Sequence, residues 1–224
     1  MILVFDLDDT LYDELTYVQS GFKAVAGFLE QTAKIPAENG FHLMWQQLES
    51  EGRGAVFDRL LQQYGIYSKG LVRRCLMVYR THQPMLKLFP AAAACLDRFN
   101  EYPKYLVTDG NKLVQQRKIE ALGIKHLFKH CYITHRYGIK NAKPSPYCFL
   151  KICERERLNP AQVVYIADNP QKDFVGIKPL GFKTIRLMQG QYRGLELAKD
   201  YEAEWRIGSL SDLTHDLLQR IFAG

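Results

Sequence analysis

Six short apolar runs, separated by helix-patterned segments, constrain this chain more than any other feature of its 224 residues. Residues 1–8, then "KYLVTDG", "CYITHR", "VVYIADN", "KTIRL" and "AEWRIGSL", are rich in β-branched and aromatic side chains and too short for helices. Between them lie "AAAACLDRFNEY" after Pro90, "KLVQQRKIEALGI" closed by Gly123, "PYCFLKICERERL" and "QKDFVGIKPLG", all read as helices. A last helix is read in "SDLTHDLLQRIF", with Ser211 as its N-cap. Strands alternating with helices imply parallel pairing and helices on both faces. The predicted fold class is therefore α/β, a doubly wound, Rossmann-like parallel sheet.

One block breaks the alternation. From Thr16 to Leu86 no strand pattern occurs, while Phe22, Val25, Phe28 and Leu29 recur at helical spacing and three further amphipathic segments follow. The expected organisation is an α/β core of residues 1–15 and 87–224, interrupted by an all-α lobe over residues 16–86. With 47% hydrophobic residues the chain has the means to bury a core. No apolar run approaches the roughly 18 residues of a membrane helix, and "ILVFD" follows Met1 with no basic leader, so a cytoplasmic protein is expected. Five scattered cysteines without a CxxC pair read as reduced thiols. The net charge of +6 is spread out, with no basic arm or interleaved aromatic motif, which disfavours a nucleic-acid partner and suits a small anionic ligand.

In such sheets ligands bind beyond the carboxyl ends of the strands. Acidic residues sit there: Asp6 and Asp8 after the first strand, Asp109 beside Thr108 after the second, Asp168 after "VVYIA", and Asp173 five residues on. The i,i+2 spacing turns Asp6 and Asp8 to one side, with Leu7 turned away. Folding is thus expected to bring four carboxylates, Asp6, Asp8, Asp168 and Asp173, to one crevice. Like charges at that density need compensation, and a hard divalent cation held by oxygen donors, Mg²⁺, supplies it.

Four separated motifs, "DLDDT" (Asp6–Thr10), "VTDG" ending at Gly110, "KPSP" from Lys143 and "ADNPQKD" (Ala167–Asp173), resemble those of the haloacid dehalogenase (HAD) superfamily in order and spacing. Ala167 stands where the family commonly has Gly. The resemblance implies Asp6 as nucleophile forming an aspartyl-phosphate, and Asp8 as acid and then base, with its proton affinity raised by neighbouring carboxylates. An aspartate at the second position is the family's mark of phosphoryl rather than carbon–halogen chemistry. Thr108 and the backbone N–H groups of Asp109 and Gly110 would hold phosphoryl oxygens, and Lys143 would set a cation between nucleophile and phosphate. Asp6, Asp168 and the Asp8 carbonyl would ligate Mg²⁺, with Asp173 orienting ligands. Asp9, Asp13 and Thr10 are expected to brace the loop, and the six histidines to play packing or surface roles.

The resemblance also makes the helical block a cap that closes over the site, with Arg53, flanked by two glycines, its candidate substrate contact. "TDGNKLVQQRKIEALGI" is similar to the phosphatase subset that includes nucleoside 5′-monophosphate nucleotidases and acylneuraminate phosphate phosphatases. The expected function is Mg²⁺-dependent hydrolysis of a small phosphate ester, a sugar phosphate or nucleoside monophosphate, by a monomer or homodimer. A phosphotransferase or mutase of the same superfamily, and a non-catalytic binding protein keeping the fold, are the alternatives.

Overall fold

The computed structural model describes residues 1–223 and divides into two compact units, Met1–Glu14 with Lys87–Gly224, and Leu15–Leu86. The first contains a six-stranded sheet of β1 (Ile2–Phe5), β2 (Lys104–Thr108), β3 (His130–Ile133), β4 (Val163–Ala167), β5 (Lys183–Leu187) and β6 (Trp205–Ile207). Its order is β3-β2-β1-β4-β5-β6, every pair is parallel, and helices lie on both sides. Every residue of β1, β2 and β4 is buried, as expected of central parallel strands covered on both faces. One layer of the core joins Val4, Tyr105 and Tyr165 of the sheet to Phe149, Ile152 and Phe182. The strand order reverses at β1, which therefore opens the crevice where doubly wound sheets bind ligands.

The second unit is helical, built from α1 (Glu14–Ala33), whose first residue belongs to the sheet unit, then α2 (Ala37–Glu51), α3 (Val56–Gln63) and α4 (Lys69–Thr81). The buried face of α1 repeats Val18, Phe22, Val25 and Leu29 at three- and four-residue steps, the period of an amphipathic helix. Phe22 meets Phe57 and Tyr79 at ring-centroid distances of 6.1 and 5.9 Å. Ser68 caps α4 by accepting from the Leu71 N–H at 3.1 Å. Trp45 packs on Phe41 and Phe22 in this core, and Arg53 lies in the exposed turn between α2 and α3.

Back in the sheet unit, α5 (Pro90–Arg98), α6 (Lys112–Leu122), α7 (Tyr147–Glu156) and α8 (His215–Ala223) complete the layers. Two local expectations fail. The segment "QKDFVGIKPLG" forms no α-helix, only turns ending in a 3₁₀ turn at Lys178–Leu180. Gly176 and Pro179 fall inside the segment, and both are poor in a helix interior, so apolar spacing alone does not make one. Ser211 does not cap the closing helix. Ser209 and Asp212 close a capping box around a 3₁₀ turn, and α8 starts later, with the Thr214 hydroxyl accepting from the Leu217 N–H. Among the described residues no helix is long and apolar enough to cross a membrane.

Candidate active site

The Asp6 N–H donates to the Ile166 carbonyl at 3.0 Å, which carries the β1–β4 ladder one residue past the strand and fixes Asp6 at the switch point. Lys143 enters from the loop between β3 and α7. Its buried ammonium lies 3.0 Å from Asp6 Oδ1, 2.7 Å from Asp173 Oδ1 and 2.9 Å from the Tyr165 hydroxyl. A lysine has three N–H donors, and all three are engaged here. Burial alone would lower the Lys143 pKa, yet Asp173 and Asp6 carry it well above the ordinary lysine range. Asp173 also accepts from Tyr165 OH and from the Asn169 N–H. The turn bearing Asp173 approaches the Lys143 loop so closely that a Cβ on Gly176 would meet the Pro144 carbonyl oxygen at 1.7 Å. Only glycine permits that approach.

Asp6, Asp168 and Asp173 are all buried, and each offers a carboxylate oxygen within 4.8 Å of the others. Burial pushes Asp6 up to about 7, with Lys143 opposing and Asp173 adding to the rise. Asp168 is pushed up to about 9, chiefly by burial and then by the charges of Asp173 and Asp6. Three carboxylates thus share one buried ammonium, a deficit of positive charge that a divalent cation with hard oxygen ligands would correct. The donor set fits Mg²⁺. At the end of β2 the Thr108 hydroxyl is wholly buried and, among the described residues, has no hydrogen-bond partner, a costly state unless a ligand accepts or donates there.

The fourth carboxylate does not join this group. Asp8 Oδ1 receives Lys118 Nζ at 2.7 Å and Tyr12 OH at 2.5 Å, and its Oδ2 receives Gln115 Nε2 at 2.9 Å. Three carboxylates converge, not the expected four, and the neighbours of the Asp8 side chain are a cation, a phenol and an amide. The reason is the buried Lys118 on α6, which also holds Glu14 at 3.2 Å. Gln115 further donates to the Asp109 carbonyl at 3.0 Å, and a Cβ on Gly110 (φ +135°) would meet its amide nitrogen at 2.9 Å. The Asp109 carboxylate is turned onto Thr134 Oγ1 at 2.5 Å and the Lys143 N–H at 3.1 Å. Burial would raise its pKa, but Thr134, Lys172 and Lys143 hold it below the usual carboxylate value.

Asp9, at φ +51°, accepts from the Glu14 N–H at 3.0 Å, and its carbonyl receives Gln189 Nε2 at 2.7 Å, a loop brace. Sequence reasoning missed Tyr12, Gln115, Lys118, Tyr165 and Lys172. The one available signal was Gln115 and Lys118 three apart on a helix opening at a strand end, which places both on one face.

A parallel sheet with a buried Asp–Lys pair and a carboxylate group at its switch point places charged chemistry where such sheets bind ligands. Residues 1–181 match the family model for haloacid dehalogenase-like hydrolases, and the chain belongs to that family. It is 27% identical over 226 residues to a glyceraldehyde 3-phosphate phosphatase of Pyrococcus furiosus, covering 98% of this chain and 93% of that one. A protein of the same name from Methanocaldococcus jannaschii is 27% identical, over 94% of each chain. Among solved structures, the HAD hydrolase YfnB of Bacillus subtilis, bound to magnesium, has a TM-score of 0.67 at 20% identity. That match covers 96% of this chain and 97% of YfnB, a likeness of fold.

Proposed function

We propose that the protein is a Mg²⁺-dependent phosphomonoesterase acting on a small phosphorylated metabolite through a phosphoryl group carried on Asp6. The observation that carries this reading is the buried Asp6–Lys143 pair, with Asp168 and Asp173 alongside, at the sheet's switch point. An Asp6 oxygen attacks phosphorus, the bond from phosphorus to the ester oxygen breaks, and Asp8 gives its proton to the departing oxygen. Asp8 then takes a proton from the water that attacks phosphorus, the acyl-phosphate bond breaks, and Asp6 is regenerated. Thr108 and the N–H groups at Asp109 and Gly110 bind phosphoryl oxygens, and Lys143 holds Asp6 oriented and compensates its charge. Asp6, Asp168 and the Asp8 carbonyl would hold Mg²⁺, with Asp173 fixing Lys143 and the turn behind them. When bound, the metal polarises a phosphoryl oxygen and neutralises charge.

The likeness to glyceraldehyde 3-phosphate phosphatases favours a triose phosphate or similar short sugar phosphate over a nucleoside monophosphate. Substrate selection is assigned to the inserted unit Leu15–Leu86, with Arg53 as its candidate contact, on the family resemblance. Turnover of p-nitrophenyl phosphate with Mg²⁺ and with chelator tests the chemistry. A panel of triose, pentose and hexose phosphates and nucleoside monophosphates, with water or sugars as acceptors, tests the substrate class and separates hydrolase from phosphotransferase. Hydrolysis that stops in chelator is expected; metal-independent hydrolysis, or none across the panel, contradicts the proposal.

A further inference from the structure

Lys143 is 1% exposed and its three N–H groups face Asp6, Asp173 and Tyr165, so it can bond an incoming anion only by releasing one of them. A second lysine stands nearby under different conditions. Lys172 lies in the turn between Asp168 and Asp173, with its backbone N–H on the Asn169 carbonyl at 3.4 Å. Its side chain is 35% exposed, and Nζ is 3.6 Å from Asp109 Oδ2, an ion pair too long for a hydrogen bond. Among the described residues Nζ makes no hydrogen bond. The contact with Asp109 places it at the turn that follows β2, where the Asp109 and Gly110 N–H groups are read as phosphoryl donors. A partly exposed pair at this distance contributes little to stability, so Asp109 alone does not explain the position as a lock.

We infer that Lys172 is the site's accessible cation, the residue that takes hold of the phosphoryl oxygens of the incoming ester and of inorganic phosphate. This rests on the phosphatase reading for the ester but not for phosphate itself. Lys143 then remains a fixed charge holding the nucleophile, while Lys172, on a four-carbon stem anchored in a rigid turn, follows the ligand in and out. Its contribution lies in binding, so its loss raises KM and leaves kcat nearly unchanged.

The test measures inorganic phosphate binding by calorimetry with Mg²⁺ present, and p-nitrophenyl phosphate kinetics, for wild type, K172M and K172R. In K172M the phosphate Kd and the ester KM rise on the order of tenfold or more, the size of a lost charge-assisted hydrogen bond. The kcat changes by less than about threefold, and K172R recovers most of the affinity because the charge is kept. K172M binding phosphate as tightly as wild type overturns the inference, as does K172R binding no better than K172M. Wild type that binds phosphate through Lys172 but hydrolyses no ester sinks the phosphatase reading and leaves this one standing.

Discussion

Lys118 Nζ lies 2.7 Å from Asp8 Oδ1 although 110 residues separate them in the chain. Burial alone would lower the lysine's pKa, but Asp8 and Glu14 carry it above the ordinary value, so the ammonium stays charged through the neutral range. This contact ties the loop after β1 to the helix after β2 and sets where the proposed acid and base points. K118M leaves two largely buried carboxylates without their cation. It is expected to lower unfolding free energy by about 3–5 kcal/mol, read by urea denaturation, and to cut kcat with it. Wild-type stability in K118M would show that the pair is dispensable.

Thr108 presents the opposite balance. Its buried hydroxyl has no partner among the described residues, so T108V removes a cost of about 1–3 kcal/mol rather than an interaction. Thermal unfolding of T108V is expected at or above the wild-type temperature, while kcat/KM for a phosphate ester falls on the order of 10²-fold. A variant both stable and fully active would remove Thr108 from the site.

Asp168 gives the metal prediction. An acid whose folded pKa is raised, here to about 9, binds its proton more tightly folded than unfolded. In chelator, the Asp168 contribution to stability is therefore fullest below the unfolded value of 3.8 and declines as pH climbs towards 9. D168N lacks most of that decline. Added Mg²⁺ at about 100 times Kd raises wild-type stability by about 2.7 kcal/mol and leaves D168N almost unmoved, as thermal melts at pH 8 will show.

On β5, in register with Ala167 of β4, Arg186 is wholly buried and donates to both Glu202 oxygens at 2.7 and 2.8 Å. Burial would raise Glu202, but Arg186 and the Leu197 N–H bring it below the ordinary value of 4.5. Its depressed folded pKa means the stabilisation is complete above pH 4.5 and is lost as pH falls through the folded value. E202Q is expected to cost about 3–5 kcal/mol at pH 7 by leaving Arg186 unpaired, and to flatten the acid limb of the stability profile.

The sheet was readable because its strands are continuous β-branched runs between helical periods, and Asp6, Thr108, Lys143, Asp168 and Asp173 were readable because each follows a strand or sits in a motif. Lys118 was not, since a lysine on a helix is usually a solvated charge, and only the fold brings α6 against Asp8. The same holds for Tyr165, an apparent core residue whose hydroxyl receives Lys143. The missing helix after Asp173 escaped because its apolar spacing fits a helix, whereas Gly176 and Pro179 within it disfavour one. Apolar periodicity does not encode those propensities.

The central claim is that Asp6 carries the phosphoryl group. Enzyme turning over p-nitrophenyl phosphate with Mg²⁺ is quenched in acid within its first turnovers, digested, and its peptides weighed. The account predicts one added phosphoryl group on the peptide containing Asp6, absent from D6N, whose turnover falls on the order of 10³-fold or more. Undiminished hydrolysis by D6N, or a phosphoryl group trapped on another residue, would contradict it.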